Sequence, residues 1–192
     1  MEKYADQFYQ MINAYTTVSS TSFDKLWQIT KIREVQKDEL ILRYGQVAKN
    51  ILFVCQGILT SQYYTKDGTI HIKNFFVEGK MAGSTASLLT KAPSEFAIQA
   101  VTDSVLLSIN YAKYRTLIFE NDDLKSFYIA YLEQHWIIVN EKRQISFATQ
   151  TASERYQTFL QEYPDLEDKV PQKLIASYLG VTPTQLSRIR NP

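Results

Sequence analysis

Residues 45–79 read GQVAKNILFVCQGILTSQYYTKDGTIHIKNFFVEG, and their punctuation decides the fold. Glycines stand at Gly45, Gly57, Gly68 and Gly79, spaced 12, 11 and 11 residues apart. Between them lie short β-rich runs: Ile51 to Cys55, Ile58 to Tyr64 and Ile70 to Val77. Lys66-Asp67-Gly68-Thr69 is a strong hairpin signal, because an Asp-Gly pair tolerates positive φ. Short strands with a turn every ~8–12 residues make a sandwich or barrel. With a further run from Val105 to Ile109, the stretch from Thr30 to Ile109 predicts a compact all-β roll.

On either side the apolar period becomes helical. Upstream, Tyr4, Phe8, Met11, Ile12 and Tyr15, then Phe23, Leu26, Trp27 and Ile29, predict two short helices packed on the roll. Downstream, a short helix from Tyr111 to Phe119 precedes a long one from about residue 122 to 148. Leu124, Phe127, Tyr131, Ile138 and Ile145 fit an a/d-like seam through which two copies would pair as a homodimer. The same stripe is wide enough to pack on the roll as well.

Thr151-Ala152-Ser153-Glu154 is a capping box that opens a new helix, and the domain boundary is placed there: 1–148, then 149–192. Within the second unit, Pro171 suits a first helical turn, and Gly180 suits the left-handed position that closes a helix. Thr182, Pro183 and Gln185 start the next helix at once. Leu186 and Ile189 face inward, leaving Thr184, Gln185, Ser187, Arg188 and Arg190 outward. Two short helices about a glycine-centred turn form a helix-turn-helix. A helix fits the major groove, where Arg pairs with guanine and Gln with adenine. A helical hairpin that merely packs would show the same inner residues, and Gln185 has a competing role in its own capping box.

Charge favours the DNA reading. The chain carries a formal net charge of +1, but residues 169–192 hold Lys169, Lys173, Arg188 and Arg190 and no acid. A basic end on a slightly acidic body suits a nucleic-acid partner. Thr182, Thr184, Gln185, Ser187, Arg188, Arg190 and Lys173 are therefore the candidate DNA contacts. The expected fold class is α+β: an N-terminal double-stranded, jelly-roll-like β-roll, a long dimerisation helix, and a C-terminal helix-turn-helix with no clear wing after it.

In this order of parts the chain resembles the Crp/Fnr superfamily of bacterial regulators, over roughly residues 10–190. The resemblance rests on Gly45, residues 50–54, Gly57, Gly68, Gly79 and Gly83, and on residues 175–182 and 186–189. The segment from Glu154 to Pro164 looks like short members from Bacteroidetes-type bacteria. It implies a cyclic-nucleotide-binding-like sensor domain, double-stranded DNA and a second copy of the chain as partners, and contact with RNA polymerase. Members that bind cyclic nucleotide carry Gly-Glu-Leu followed by an arginine, the acid holding the ribose and the arginine neutralising the phosphate. The matching residues here are Gly83, Ser84 and Thr85, then Ser94 and Glu95. With acid and arginine both replaced by serine, cyclic AMP or GMP is not the expected effector, and nothing in the sequence names another. A missing wing implies weaker, salt-dependent DNA binding.

Other function classes find little support. The only histidines, His71 and His135, lie far apart, so a cupin-like metal site is missing its ligands. No phosphate loop or nucleophile elbow is present, so neither an enzyme nor a bound cofactor is expected. Lone Cys55 excludes an intramolecular disulfide and fits a reducing cytoplasm. The polar N-terminus lacks a signal-peptide core, and no stretch reaches the ~20 apolar residues of a membrane span. A protein-interaction or ligand-sensing module that has lost DNA binding stays open as the alternative.

Overall fold

A computed structural model describes residues 2–65 and 68–191. Two helices, α1 (Glu2–Asn13) and α2 (Ser20–Gln28), lead into eight strands: β1 (Thr30–Val35), β2 (Leu40–Leu42), β3 (Asn50–Gln56), β4 (Leu59–Tyr64), β5 (Ile70–Phe76), β6 (Met81–Ala82), β7 (Ala97–Ala100) and β8 (Ser104–Asn110). A short helix, α3 (Thr85–Thr90), interrupts them after β6. The strands form two antiparallel sheets in the orders β1-β8-β3-β6 and β2-β7-β4-β5. The fold is therefore the expected α+β roll with helices at both ends. The hairpin signal at Lys66-Asp67 lies outside the described residues, but β4 and β5 pair across it, with Tyr64 opposite Ile70.

Alternation along β3 explains why its run is apolar throughout. Leu52 and Val54 face the roll interior with Leu42, Leu59, Ile98 and Leu106. Phe53 and Cys55 face the other way, into a second core with Phe8, Ile12, Leu26, Leu107 and Ile109. Both faces of this strand are covered, so neither set can be polar. Gly57 turns the chain between β3 and β4 at φ +96°, where a Cβ would stand 2.2 Å from Ser104 Oγ and 2.7 Å from the Asp103 carbonyl.

After β8, α4 (Tyr111–Glu120) leads into a continuous helical stretch of three parts: α5 (Asp122–Leu132), a π-helical turn (Glu133–Ile138) and α6 (Val139–Thr149). The single seam expected along this helix is not observed. Leu124 and Phe127 are fully buried and Tyr131 packs beside them, all against the α1–α2–roll core. Tyr131 also accepts the Met81 N–H at 3.2 Å. Ile138 and Ile145, by contrast, are 40% and 55% exposed. The physical cause is the π turn, whose i→i+5 bonds take about one more residue per turn than an α-helix and so change the face that α6 presents. A uniform helical count cannot anticipate that change.

The C-terminal part comprises α7 (Ala152–Glu162), the short α8 (Leu166–Lys169), α9 (Gln172–Leu179) and α10 (Pro183–Arg190). The capping box forms as expected: Thr151 Oγ1 accepts the Glu154 N–H and Glu154 accepts the Thr151 N–H. Tyr156, Phe159, Ile175, Leu179 and Leu186 make a small core that continues into Ile58, Ile72 and Phe75 of the roll. The helical head thus sits on the sheet edge at β5.

Candidate nucleic-acid interface and sensor pocket

The turn between α9 and α10 follows from its residues. Gly180 adopts φ +70° and ψ 33° at the end of α9. Thr182 then caps α10: its Oγ1 accepts the Gln185 N–H at 3.2 Å, and Gln185 Oε1 accepts the Thr182 N–H at 2.9 Å. Gln185 is therefore committed through its carbonyl oxygen. Leu186 is fully buried beneath the helix. Thr182, Thr184, Gln185, Ser187 and Arg188 are exposed on α10 and its cap, and Lys173 is exposed on α9.

Arg190 departs from the expected outward set. Its Nε donates to Glu167 Oε1 at 2.7 Å, leaving the side chain 29% exposed. The same oxygen accepts the Tyr156 hydroxyl at 2.6 Å. Burial, with Glu167 second, pushes the Tyr156 phenol up to about 12, so it stays a donor at any ordinary pH. Arg190 thus ties α10 to α8 instead of standing free. Local spacing marks its basic character but not Glu167, which is 23 residues away.

Polar groups also fasten the head to the roll. Ser177 Oγ accepts the Ile72 N–H and donates to the Ile70 carbonyl, both at 3.0 Å. Arg143 of α6 donates to the Lys73 carbonyl and, at 2.9 Å, to Asn74 Oδ1. Its guanidinium lies 4.3 Å from the Tyr178 ring centre. Arg155 closes the end of α9 by donating to the Leu179 carbonyl at 3.1 and 3.2 Å.

In the sensor part, the structure brings Gly83, Ser84 and Ser94 together but leaves Glu95 aside. Ser84 and Ser94 are almost wholly buried, with hydroxyl oxygens 2.9 Å apart. Ser94 Oγ also lies 2.7 Å from the Phe96 carbonyl. A hydroxyl has one proton to give, so Ser94 donates to Phe96 and accepts from Ser84. The two serines, expected at the positions of the acid and the arginine, are thus hydrogen-bonded to each other and to Phe96, without charge. Thr85 begins α3, and Glu95 is exposed at the rim of a pocket with Phe96, Lys73, Tyr44, Tyr63 and Tyr64. The sequence reading missed Lys73 and the three tyrosines. Between β4 and β5 the register passes from Ile72 opposite Gln62 to Asn74 opposite Ser61, so Lys73 is a bulge residue without a partner.

Cys55 is buried, and its thiol is pushed up to about 12, chiefly by burial. Among the described residues, no three His, Cys, Asp or Glu side chains lie placed to hold a metal ion. No helix there is long and apolar enough to cross a membrane.

Comparison with known proteins agrees with this architecture. The chain is similar in structure to FixK2 from Bradyrhizobium japonicum, with TM-score 0.70 and 19% identity over 84% of this chain and 83% of that one. The c-di-GMP responsive global regulator CLP of Xanthomonas campestris gives TM-score 0.68 and 15% identity over 89% of each chain. The catabolite activator protein of Thermus thermophilus gives TM-score 0.58 and 16% identity over 92% of this chain and 84% of that one. No curated protein matches in sequence. The cyclic nucleotide-binding domain pattern matches residues 32–129, about half of the chain, and the protein belongs to that family.

Proposed function

We propose that the protein is a DNA-binding transcription regulator of Crp/Fnr type, a homodimer whose α9–α10 pair reads a two-fold symmetric site. Residues 1–148 form the sensor unit and residues 149–192 the head. The observation that carries this reading is the outer face of α10. Leu186 is buried below, while Thr184, Ser187 and Arg188 stand exposed above, with no acidic residue from Lys169 onward. Such a face suits a major groove: Arg188 as the base or phosphate contact, with Thr182, Thr184, Ser187, Lys173 and the free amide of Gln185 around it. The similar CLP is a global regulator linked to gene expression, which supports the same reading.

A homodimer follows from the exposed apolar side chains of Ile129, Ile137, Ile138 and Ile145 along the long helix. Cyclic AMP is not the effector we propose, because the Ser84–Ser94 pair offers a phosphate neither charge nor a spare donor.

The test is selection of genomic DNA fragments by the purified protein at low and moderate salt, beside Arg188→Ala. Enrichment of a two-fold symmetric site, lost in the variant, supports the regulator. No enrichment by either protein, with stable capture of a protein partner, supports an interaction module instead.

A further inference from the structure

A pocket of about 350 Å³ opens between Tyr44, Tyr63, Tyr64, Lys73, Glu95 and Phe96. Neither Ser84 nor Ser94 lines it, but Glu95 and Phe96, which follow Ser94, do, so it opens beside the buried serine pair. Four of its six side chains are aromatic, and Tyr44, Tyr63 and Tyr64 are 63%, 42% and 45% exposed. Its size sits at the lower end of the ~300–1,000 Å³ of small-molecule sites, room for one or two rings.

Lys73 gives the pocket its chemistry. The β-bulge takes this residue out of the ladder and aims its side chain separately from its neighbours. The ammonium lies 4.8 Å from the Phe96 ring centre and 5.8 Å from that of Trp136. Among the described residues it forms no ion pair and donates no hydrogen bond. Ring faces attract a cation but leave its three N–H donors unmet. Burial, with Arg143 second, pulls its pKa down against Glu95, so the charge is held in place unfavourably. Arg143 is already engaged with the Lys73 carbonyl and Asn74. One unmatched ammonium beside one exposed carboxylate favours a ligand with a single negative charge over a phosphate dianion.

We propose that this pocket binds a small aromatic carboxylate, its ring against the tyrosines and Phe96 and its carboxylate on Lys73. The site stands whether or not the head binds DNA. Its strand is also the head's anchor: Ser177 holds Ile70 and Ile72, and Arg143 holds the Lys73 carbonyl. A ligand there acts within the segment that seats the head.

The test is calorimetric titration of the full chain with 4-hydroxybenzoate, 1-naphthoate and indole-3-acetate, each beside its uncharged amide. The expected result is saturable binding of at least one carboxylate with Kd below about 1 mM. Its amide should bind roughly tenfold or more weakly, as should the carboxylate to Lys73→Met. The exposed-rim variant Tyr63→Ala should also weaken it, and melting curves establish that both variants are folded. Saturation by none of the three overturns the proposal. So does an amide that binds as well as its acid, or undiminished binding by folded Lys73→Met.

Discussion

The hydroxyl of Ser177 stands in for a neighbouring strand: it accepts the Ile72 N–H at 3.0 Å and donates to the Ile70 carbonyl at the same distance. Strand β5 is the last in its sheet, so these groups face away from β4. An edge strand left bare invites foreign pairing, and here one side chain of the head covers it. Ser177→Ala removes both bonds at a partly exposed site, which should cost about 1 kcal/mol. Hydrogen exchange of the Ile72 amide should accelerate about fivefold. An unchanged rate would show that Ser177 does not protect this edge, and that the Arg143 bonds and the aromatic contacts seat the head.

Gly57 and Gly45 should separate two kinds of glycine. Both have positive φ, but a Cβ on Gly57 collides with Ser104 and the Asp103 carbonyl, whereas one on Gly45 meets nothing within 4 Å. Gly45→Ala adds backbone strain only, about 1 kcal/mol. Gly57→Ala adds a clash with backbone and should lose about 2–4 kcal/mol. Chemical denaturation of the two variants measures the difference directly.

His135 should make stability depend on pH. It contacts the Tyr15 hydroxyl and packs on Tyr131. Burial, with Lys80 second, holds its pKa below the ordinary 6.5. The folded state therefore prefers the neutral ring, and the unfolded chain takes up a proton first as pH falls. This contribution is complete above about pH 6.5 and declines as pH drops through that value towards the lowered one. Thermal melts at pH 7.5 and 5.5 (chosen to bracket the ordinary value) should differ less for His135→Phe than for wild type. Glu162 works in the opposite sense. Burial raises its pKa, so its contribution is full below its ordinary 4.5 and lost as pH rises through the raised value.

The two faces of the long helix should respond differently to substitution. Phe127→Ala removes a fully buried ring and should destabilise by about 3–5 kcal/mol. Ile138→Glu with Ile145→Glu alters exposed positions and should leave the helical spectrum intact while sedimentation moves from dimer to monomer. A wild-type protein already monomeric at micromolar concentration contradicts the dimer.

What the sequence made legible was local. Gly180, Thr182, Pro183 and Gln185 form the turn they spell, because a cap is settled within four residues. The alternation in residues 50–56 and the glycine spacing were likewise enough for the roll. What stayed hidden depends on distant partners. Arg190 reads as a free basic residue until folding brings Glu167 beside it. Lys73 reads as one more strand position, since its bulge exists only in the pairing of β5 with β4. Leu124, Phe127 and Tyr131 belong to a helical stripe, but which body covers that stripe is a tertiary fact.

The π turn at Glu133–Ile138 has a consequence for how this molecule tolerates insertions and deletions. Each α-helical residue advances about 1.5 Å and turns about 100°. A π turn holds about one residue more than an α turn, so deleting one residue there would restore α-helical pitch with α6 facing much as it does now. Tightening the turn to α pitch with all six residues kept would instead swing α6 and everything after it by about that angle, and withdraw Arg143 and Ser177 from β5 together. The turn therefore acts as a phase adjuster: its pitch, matched to its length in residues, sets where the head meets the roll.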